Sequence, residues 1–157
     1  TLARDEGYPY DYVAAALTAH PTRPIWFWKC LDALRRRESA DIQELAEQAK
    51  RMQRICKEPA EHVDEKLLHE HDQALHVLTT GARSALLQQV EQGDFEGALQ
   101  TVLSWTPIIS AYFEKVLVND ENESVRRNRH ALLRDVLAAM VVPADFTQIE
   151  KKDVTTG

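Results

Sequence analysis

The stretch "FEKVLVNDENESVRRNRHALLRDV", residues 113–136, sets the cluster Arg126-Arg127-Asn128-Arg129 against an apolar helix. A packed helix needs only one or two charges on its outer face, so the direction of each side chain decides how the stretch is read. A polar turn at 119–121 leads into a helix predicted over about 122–141, with Asp120 and Glu123 at capping-box spacing. At 100° per residue, Val125, Leu132, Leu133, Val136 and Met140 share one side. Arg129 falls near the centre of that stripe. Its guanidinium is therefore expected to be partly buried, a structural fastener satisfied by backbone carbonyls or by a carboxylate such as Glu114 or an acid of the 120–123 turn. Arg127, His130 and Arg134 are expected to project to the opposite side, with Arg126 and Asn128 on the flanks. Outward groups of this kind suit a solvated helix face or a nucleic-acid contact.

Upstream, the same periodicity continues. Residues 8–20 read as a short helix after Pro9, stopped by Pro21 and Pro24. "RPIWFWKCLDALRRRES" gives a second, with Ile25, Phe27, Trp28, Leu31 and Leu34 on a broad apolar side. A third runs from Ser39 or Asp41 to about Lys57 on the stripe Ile42, Leu45, Ala46, Ala49, Met52 and Cys56. Residues 61–92 read as one long helical stretch that Gly81 bends and Gly93-Asp94 ends. "FEGALQTVLSW" follows, and Thr106-Pro107 is expected to interrupt it before "PIISAYFEKVL" continues. No strand alternation appears, so the fold class is all-α, a helical bundle. Three segments are expected: an N-terminal helical segment over 1–38 that packs toward upstream domains, a bundle over 39–142, and an irregular tail over 143–157.

Composition agrees with a helical protein. The 157 residues include only 5 Gly and 6 Pro, 44% are hydrophobic and 28% charged, which is ordinary for a globular domain. No apolar run is long enough to span a membrane, and no signal pattern opens the chain. Cys30 and Cys56 show no metal or redox spacing, which points to reduced, intracellular thiols. With no initiator Met, Thr1 is expected to be a cut edge within a larger protein.

The net charge of −6 argues against bulk attraction to nucleic acid, but the charge is unevenly spread. Residues 23–57 carry nine Lys/Arg against five Asp/Glu, residues 58–122 three against twelve, and residues 123–136 four against two. Two basic islands thus flank an acidic middle. In the first, Lys50, Arg51, Arg54 and Lys57 share a polar helix face without interspersed acids, where they repel one another unless a partner such as a phosphate backbone intervenes. A solvated face is the alternative.

At this point a family resemblance emerges. "YFEKVLVNDENESVRRNRHALLRDV" followed by "ADFTQI" resembles the C-terminal region of the β subunit of bacterial-type glycyl-tRNA synthetase. The shared pattern is a pair of aromatics (Tyr112-Phe113), V-x-V (Val116, Val118), a polar acidic turn (Asp120–Glu123), Arg126, Asn128-Arg129, Ala131–Leu133 and Ala144–Phe146. "EGYPYDYVAAAL" and "DIQELAEQAKRMQRI" resemble earlier segments in the same order. Residues 58–95 carry less of the pattern, and His130 and Val142-Pro143 depart from it. The resemblance implies a DALR-type α-helical anticodon-binding domain, of the type shared with class I arginyl-tRNA synthetase. It implies tRNA-Gly as partner, together with the synthetase α subunit in a heterotetramer and upstream β-subunit domains. ATP and Mg would be used by the complete enzyme, with no cofactor and no catalytic residue in this domain. A cytoplasmic bacterial setting is implied, or an organelle if the source is a plant or alga.

Loop bases of an anticodon are splayed and are read by stacking and by hydrogen bonds to their edges. The loop-facing surface is expected to comprise Lys115, Asn119, Arg126, Arg127, Asn128 and His130, with Lys50, Arg51 and Arg54 holding phosphates nearby. Two readings compete with tRNA binding. His62, Glu65, His69, Asp72 and His76 would share one face of a continuous helix, a spacing compatible with a metal-dependent helical-bundle enzyme or with a plain polar face. Trp26, Phe27 and Trp28 in series cannot all enter one core, which allows a protein-interaction module or rings lying along the core's rim. No Ser-His-Asp motif, phosphate-binding glycine loop or activated Cys is evident.

Overall fold

A computed structural model describes residues 7–57 and 62–151. The described residues contain helices and no strand. Helices α1 (Tyr10–Ala19), α2 (Pro24–Arg36) and α3 (Ser39–Ile55) are followed by a 3-10 turn (Glu65–Leu67) and α4 (Glu70–His76). A second 3-10 turn (Val77–Thr79) precedes α5 (Gly81–Glu91), α6 (Phe95–Lys115) and α7 (Glu123–Met140), and a third (Phe146–Gln148) lies near the end. This is the all-α bundle expected from periodicity.

Helix α6 is the central element and packs on α2, α3, α4 and α5, while α7 closes the bundle against α3 and α4. The predicted stripes supply the core. Ile42, Leu45, Ala46, Ala49 and Met52 of α3 are buried, as are Val125, Leu132, Leu133, Val136 and Met140 of α7. One cluster runs continuously from Tyr12 in α1 to Ile149, passing through positions 38 and 142, so the three expected segments contribute to a single core. In α2 the buried side is Cys30, Leu31, Ala33 and Leu34. Ile25, placed on that side by periodicity, is instead 70% exposed. Trp26, Phe27 and Trp28 all lie along the rim of the core. They are locked edge to face, Trp26 against His20 and Phe95, and Phe27 against Trp28.

Three expectations are corrected. First, α6 is continuous through Pro107. Proline at 107 deprives the Leu103 carbonyl of its helical N–H partner, and the Thr106 hydroxyl donates to that carbonyl at 2.8 Å. The helix survives because the residue beside the proline replaces the missing bond. Second, the 61–92 stretch is not one helix. Asp64 caps the 3-10 turn by accepting from the Lys66 N–H, and His69 and Asp72 form a capping box that starts α4 afresh. Third, α7 is capped by Asn122, whose side chain accepts from the Val125 N–H at 3.2 Å. Asp120, expected to cap it, holds the turn by accepting from the Asn122 N–H at 2.8 Å.

The α5–α6 corner follows from Gly93 at φ 74°. Its N–H donates to the Val90 carbonyl and that of Asp94 to Gln89, at 2.9 Å each, a Schellman closure that favours glycine. Asp94 then caps α6 by accepting from the Gly97 N–H at 2.9 Å. Residues 144–151 are irregular apart from the 3-10 turn, yet tightly seated; the rest of the expected tail, 152–157, lies outside the described residues. Ala144, Phe146 and Ile149 are fully buried. The Asp145 N–H donates to the Ala15 carbonyl and that of Glu150 to the Asp11 carboxylate, both at 3.0 Å, and Gln43 donates to the Glu150 carbonyl at 2.8 Å. The segment is a strap across α1 and α3.

Candidate nucleic-acid interface

The turn between α6 and α7, residues 116–122, is held down by the first half of α7. Arg129 is buried as expected, at 7% exposure. Its Nη1 donates to the Leu117 carbonyl at 2.8 Å and reaches Asp120 Oδ2 at 3.5 Å. Its Nε meets Asp72 Oδ1 at 3.3 Å and its Nη2 donates to His69 Nδ1 at 3.1 Å. An acid of the turn therefore serves, as anticipated. Glu114 does not, and Asp72 of α4 takes its place. Asp72 also accepts from the Tyr112 hydroxyl at 2.8 Å. Burial, with the Asp72 charge beside it, raises the Tyr112 pKa and keeps that hydroxyl a donor. One buried arginine thus joins α4, α6, α7 and the turn, a charge whose donors are matched at each corner.

Two residues expected to face outward turn inward. His130 is buried, and its Nε2–H donates to Asn119 Oδ1 at 2.8 Å. Asn128 is buried and bonds both ways to the Asp64 backbone, accepting from its N–H at 2.7 Å and donating to its carbonyl at 3.0 Å. The helical projection failed because the turn and the 62–68 segment fold back over α7. Its buried arc from Asn128 to Leu133 therefore spans a full turn. Asn128 and His130 are positioning groups. The His130 bond orients the exposed Asn119 amide, whose Nδ2 donors have no partner among the described residues.

Of the remaining cations, Arg127 is exposed and pairs loosely with Glu123 at 3.7 Å, and Lys115 is exposed at the end of α6. Arg126 is half-buried and donates to the Asp120 carbonyl at 3.2 Å, which adds another bond to the turn. On α3, Arg51 and Arg54 are exposed; α3 ends at Ile55, two residues before the expected end, so Lys57, also exposed, lies just past the helix. Lys50 differs from its expected role: its ammonium donates to the Ile149 carbonyl of the strap, so it secures structure in place of an open phosphate contact. Helices α3 and α7 pack against one another, and burial raises the Cys56 thiol to about 11 against a smaller downward pull from Arg134. Burial pushes the Cys30 thiol to about 12, so neither cysteine is an activated nucleophile at neutral pH.

The metal reading loses its geometry. His62 and Glu65 precede α4, His69 caps it, Asp72 is committed inward to Arg129, and His76 stands 3.8 Å from Glu65. No group of three or more His, Cys, Asp or Glu side chains is arranged to hold a metal among the described residues. No described helix is long and apolar enough to cross a membrane. Sequence reasoning missed Asp72 as the partner of Arg129 and Phe113 as the partner of Arg51. The adjacent aromatics Tyr112-Phe113 and the acids Glu70 and Asp72 were the available signals.

No family model matches the chain. It is similar over nearly its whole length to curated glycine–tRNA ligase β subunits. With that of Myxococcus xanthus it shares 33% identity over 152 residues, covering 92% of this chain and 22% of the relative. The Nitrosomonas europaea β subunit is 32% identical over 93% of this chain and 21% of the relative. That of Actinobacillus pleuropneumoniae serotype 3 is 29% identical over 94% and 22%. The chain spans about a fifth of the length of the relatives it matches.

Proposed function

We propose that this chain is the tRNA-binding, anticodon-recognising part of a glycine–tRNA ligase β subunit. The observation that carries the reading is the similarity to such subunits along 92% of the chain. The site chemistry agrees with it. Arg51, Arg54, Lys115 and Arg127 are exposed, and near them a pinned turn presents the Asn119 amide. Flat guanidiniums and a fixed amide are suited to splayed loop bases, and ammonium groups to phosphate. The fold is then an anticodon-binding bundle of the arginyl-tRNA synthetase type. The chain has no catalytic role of its own. Glycylation of tRNA-Gly, with ATP and Mg, is performed by the complete enzyme in the cytoplasm with the α subunit in a heterotetramer.

The test is binding of the chain to a tRNA-Gly transcript at low and moderate salt, beside the same transcript with altered anticodon bases. Preference for the native anticodon, weakening with salt, is the expected result. Equal salt-sensitive binding to both transcripts would leave a phosphate grip without base reading. Absence of binding at low salt would overturn the assignment. Arg127→Glu is expected to weaken binding and lower the salt slope by about one; an unchanged slope removes Arg127 from the interface.

A further inference from the structure

Arg51 differs from the ion-paired arginines of the chain in its company. Arg36 pairs with Asp32 and Glu96, Arg37 with Asp41, Arg127 with Glu123, and Arg129 with Asp72 and Asp120. Arg51 has no carboxylate within ion-pair distance among the described residues; its guanidinium carbon lies over the Phe113 ring, 4.0 Å from the centroid. Phe113 is itself fixed, half-buried against the core and edge to face with Tyr112 at 6.0 Å. Tyr112 is in turn anchored by Asp72. A guanidinium seated on one ring has its other side free, and Arg51 is exposed.

Two other arginines sit over rings, Arg23 over Trp26 and Arg35 over Tyr8. Only Arg51 lies on the basic face of α3. There Arg54, one turn further on, is its exposed neighbour, and Lys57 is exposed just past the end of the helix. A phosphate contact needs charge but not planarity. A base needs a flat, weakly hydrated surface with anion-binding groups on either side to hold its backbone. The ring beneath Arg51 supplies the first of these, and Arg54 and Lys57 the second.

We propose that the outer face of Arg51, backed by Phe113, is a stacking platform for one unpaired RNA base, with Arg54 on a flanking phosphate. The inference rests on the tRNA reading above and replaces a phosphate role for Arg51 with a base role. The experiment measures binding of the chain to a tRNA-Gly anticodon stem-loop, and to versions in which each loop nucleotide in turn is abasic. Arg51→Lys keeps the charge and removes the plane; Phe113→Leu keeps Arg51 and removes its support.

Arg51→Lys is expected to weaken binding about tenfold with an unchanged salt slope, the size of one base–side-chain stack. Phe113→Leu should weaken it in the same direction, with the helical circular dichroism and Tm of each variant checked against the parent. At one abasic position the loss should vanish, because the base that stacked is gone. Arg51→Lys binding within about twofold of the parent, or losing equally on every abasic RNA, overturns the platform while leaving the tRNA reading intact. A parent chain that binds no stem-loop overturns the tRNA reading, and the platform with it.

Discussion

Replacing Arg129 with methionine tests the central fastener. Its side chain is 8% exposed and that of Asp72 is 1% exposed, so the substitution leaves a carboxylate buried with only the Tyr112 hydroxyl and the His69 N–H to meet it. Breaking a buried pair from one side costs about 3–5 kcal/mol, mostly the penalty of the orphaned charge. Losing the bond to the Leu117 carbonyl adds to this. For a chain of this size each kcal/mol moves Tm by about 2–4 °C, so a fall of roughly 6–20 °C is expected. Urea unfolding followed by circular dichroism measures the loss directly. The double variant Arg129→Met with Asp72→Asn removes the stranded charge, and should be less destabilised than the sum of the two single variants by more than about 1 kcal/mol. Additive losses, or a loss below about 1 kcal/mol for Arg129→Met alone, would refute the argument that a matched buried charge organises this end of the bundle.

Asn128→Ala removes two bonds to the Asp64 backbone and should cost about 1–3 kcal/mol by urea melt, the range for stranding buried polar groups. Thr106→Val deletes the hydroxyl that substitutes for the Pro107 N–H. A loss of about 1 kcal/mol is expected, recovered by Thr106→Ser, and the same unfolding experiment reads both. Burial, with a smaller push from Arg23, lowers the His20 pKa against the opposing Pro143 carbonyl bond. The unfolded chain therefore takes up the proton first. His20 contributes stability that is present above pH ~6.5 and declines as pH falls from there toward its folded value. His20→Gln should flatten that part of the stability–pH curve, and a curve of unchanged slope would assign the dependence to other groups.

Periodicity found the stripes of α3 and α7, and with them the burial of Arg129, because local apolar spacing reports which face a helix hides. It misjudged Asn128 and His130 because what covers them is backbone and turn arriving from elsewhere in the chain. A helical wheel contains no information about that cover. The 61–92 stretch misled for a different reason. His69 is an uncommon N-cap, so its capping box with Asp72 passed as histidine–carboxylate spacing on a continuous helix. At Pro107 the rule that proline interrupts a helix was sound, but its remedy sat one residue away in Thr106. The outward cations were legible as types. That Lys50 would be tied to Ile149 and Arg51 to Phe113 was not, since both partners lie far along the chain.

The strap over α1 and α3 also constrains how the molecule comes into being. Synthesis delivers Asp11 first, and its carboxylate partner N–H at Glu150 comes 139 residues later. The slot that Phe146 fills between the early helices has no occupant while the intervening chain is being made. Helices can form one by one as they leave the ribosome, but the part of α1 and α3 that the strap covers stays open until it arrives. At about 5–20 residues per second, that exposure lasts on the order of ten seconds. Pairings of such long sequence separation also form late in refolding. The last-made stretch of this bundle is the one that locks the first.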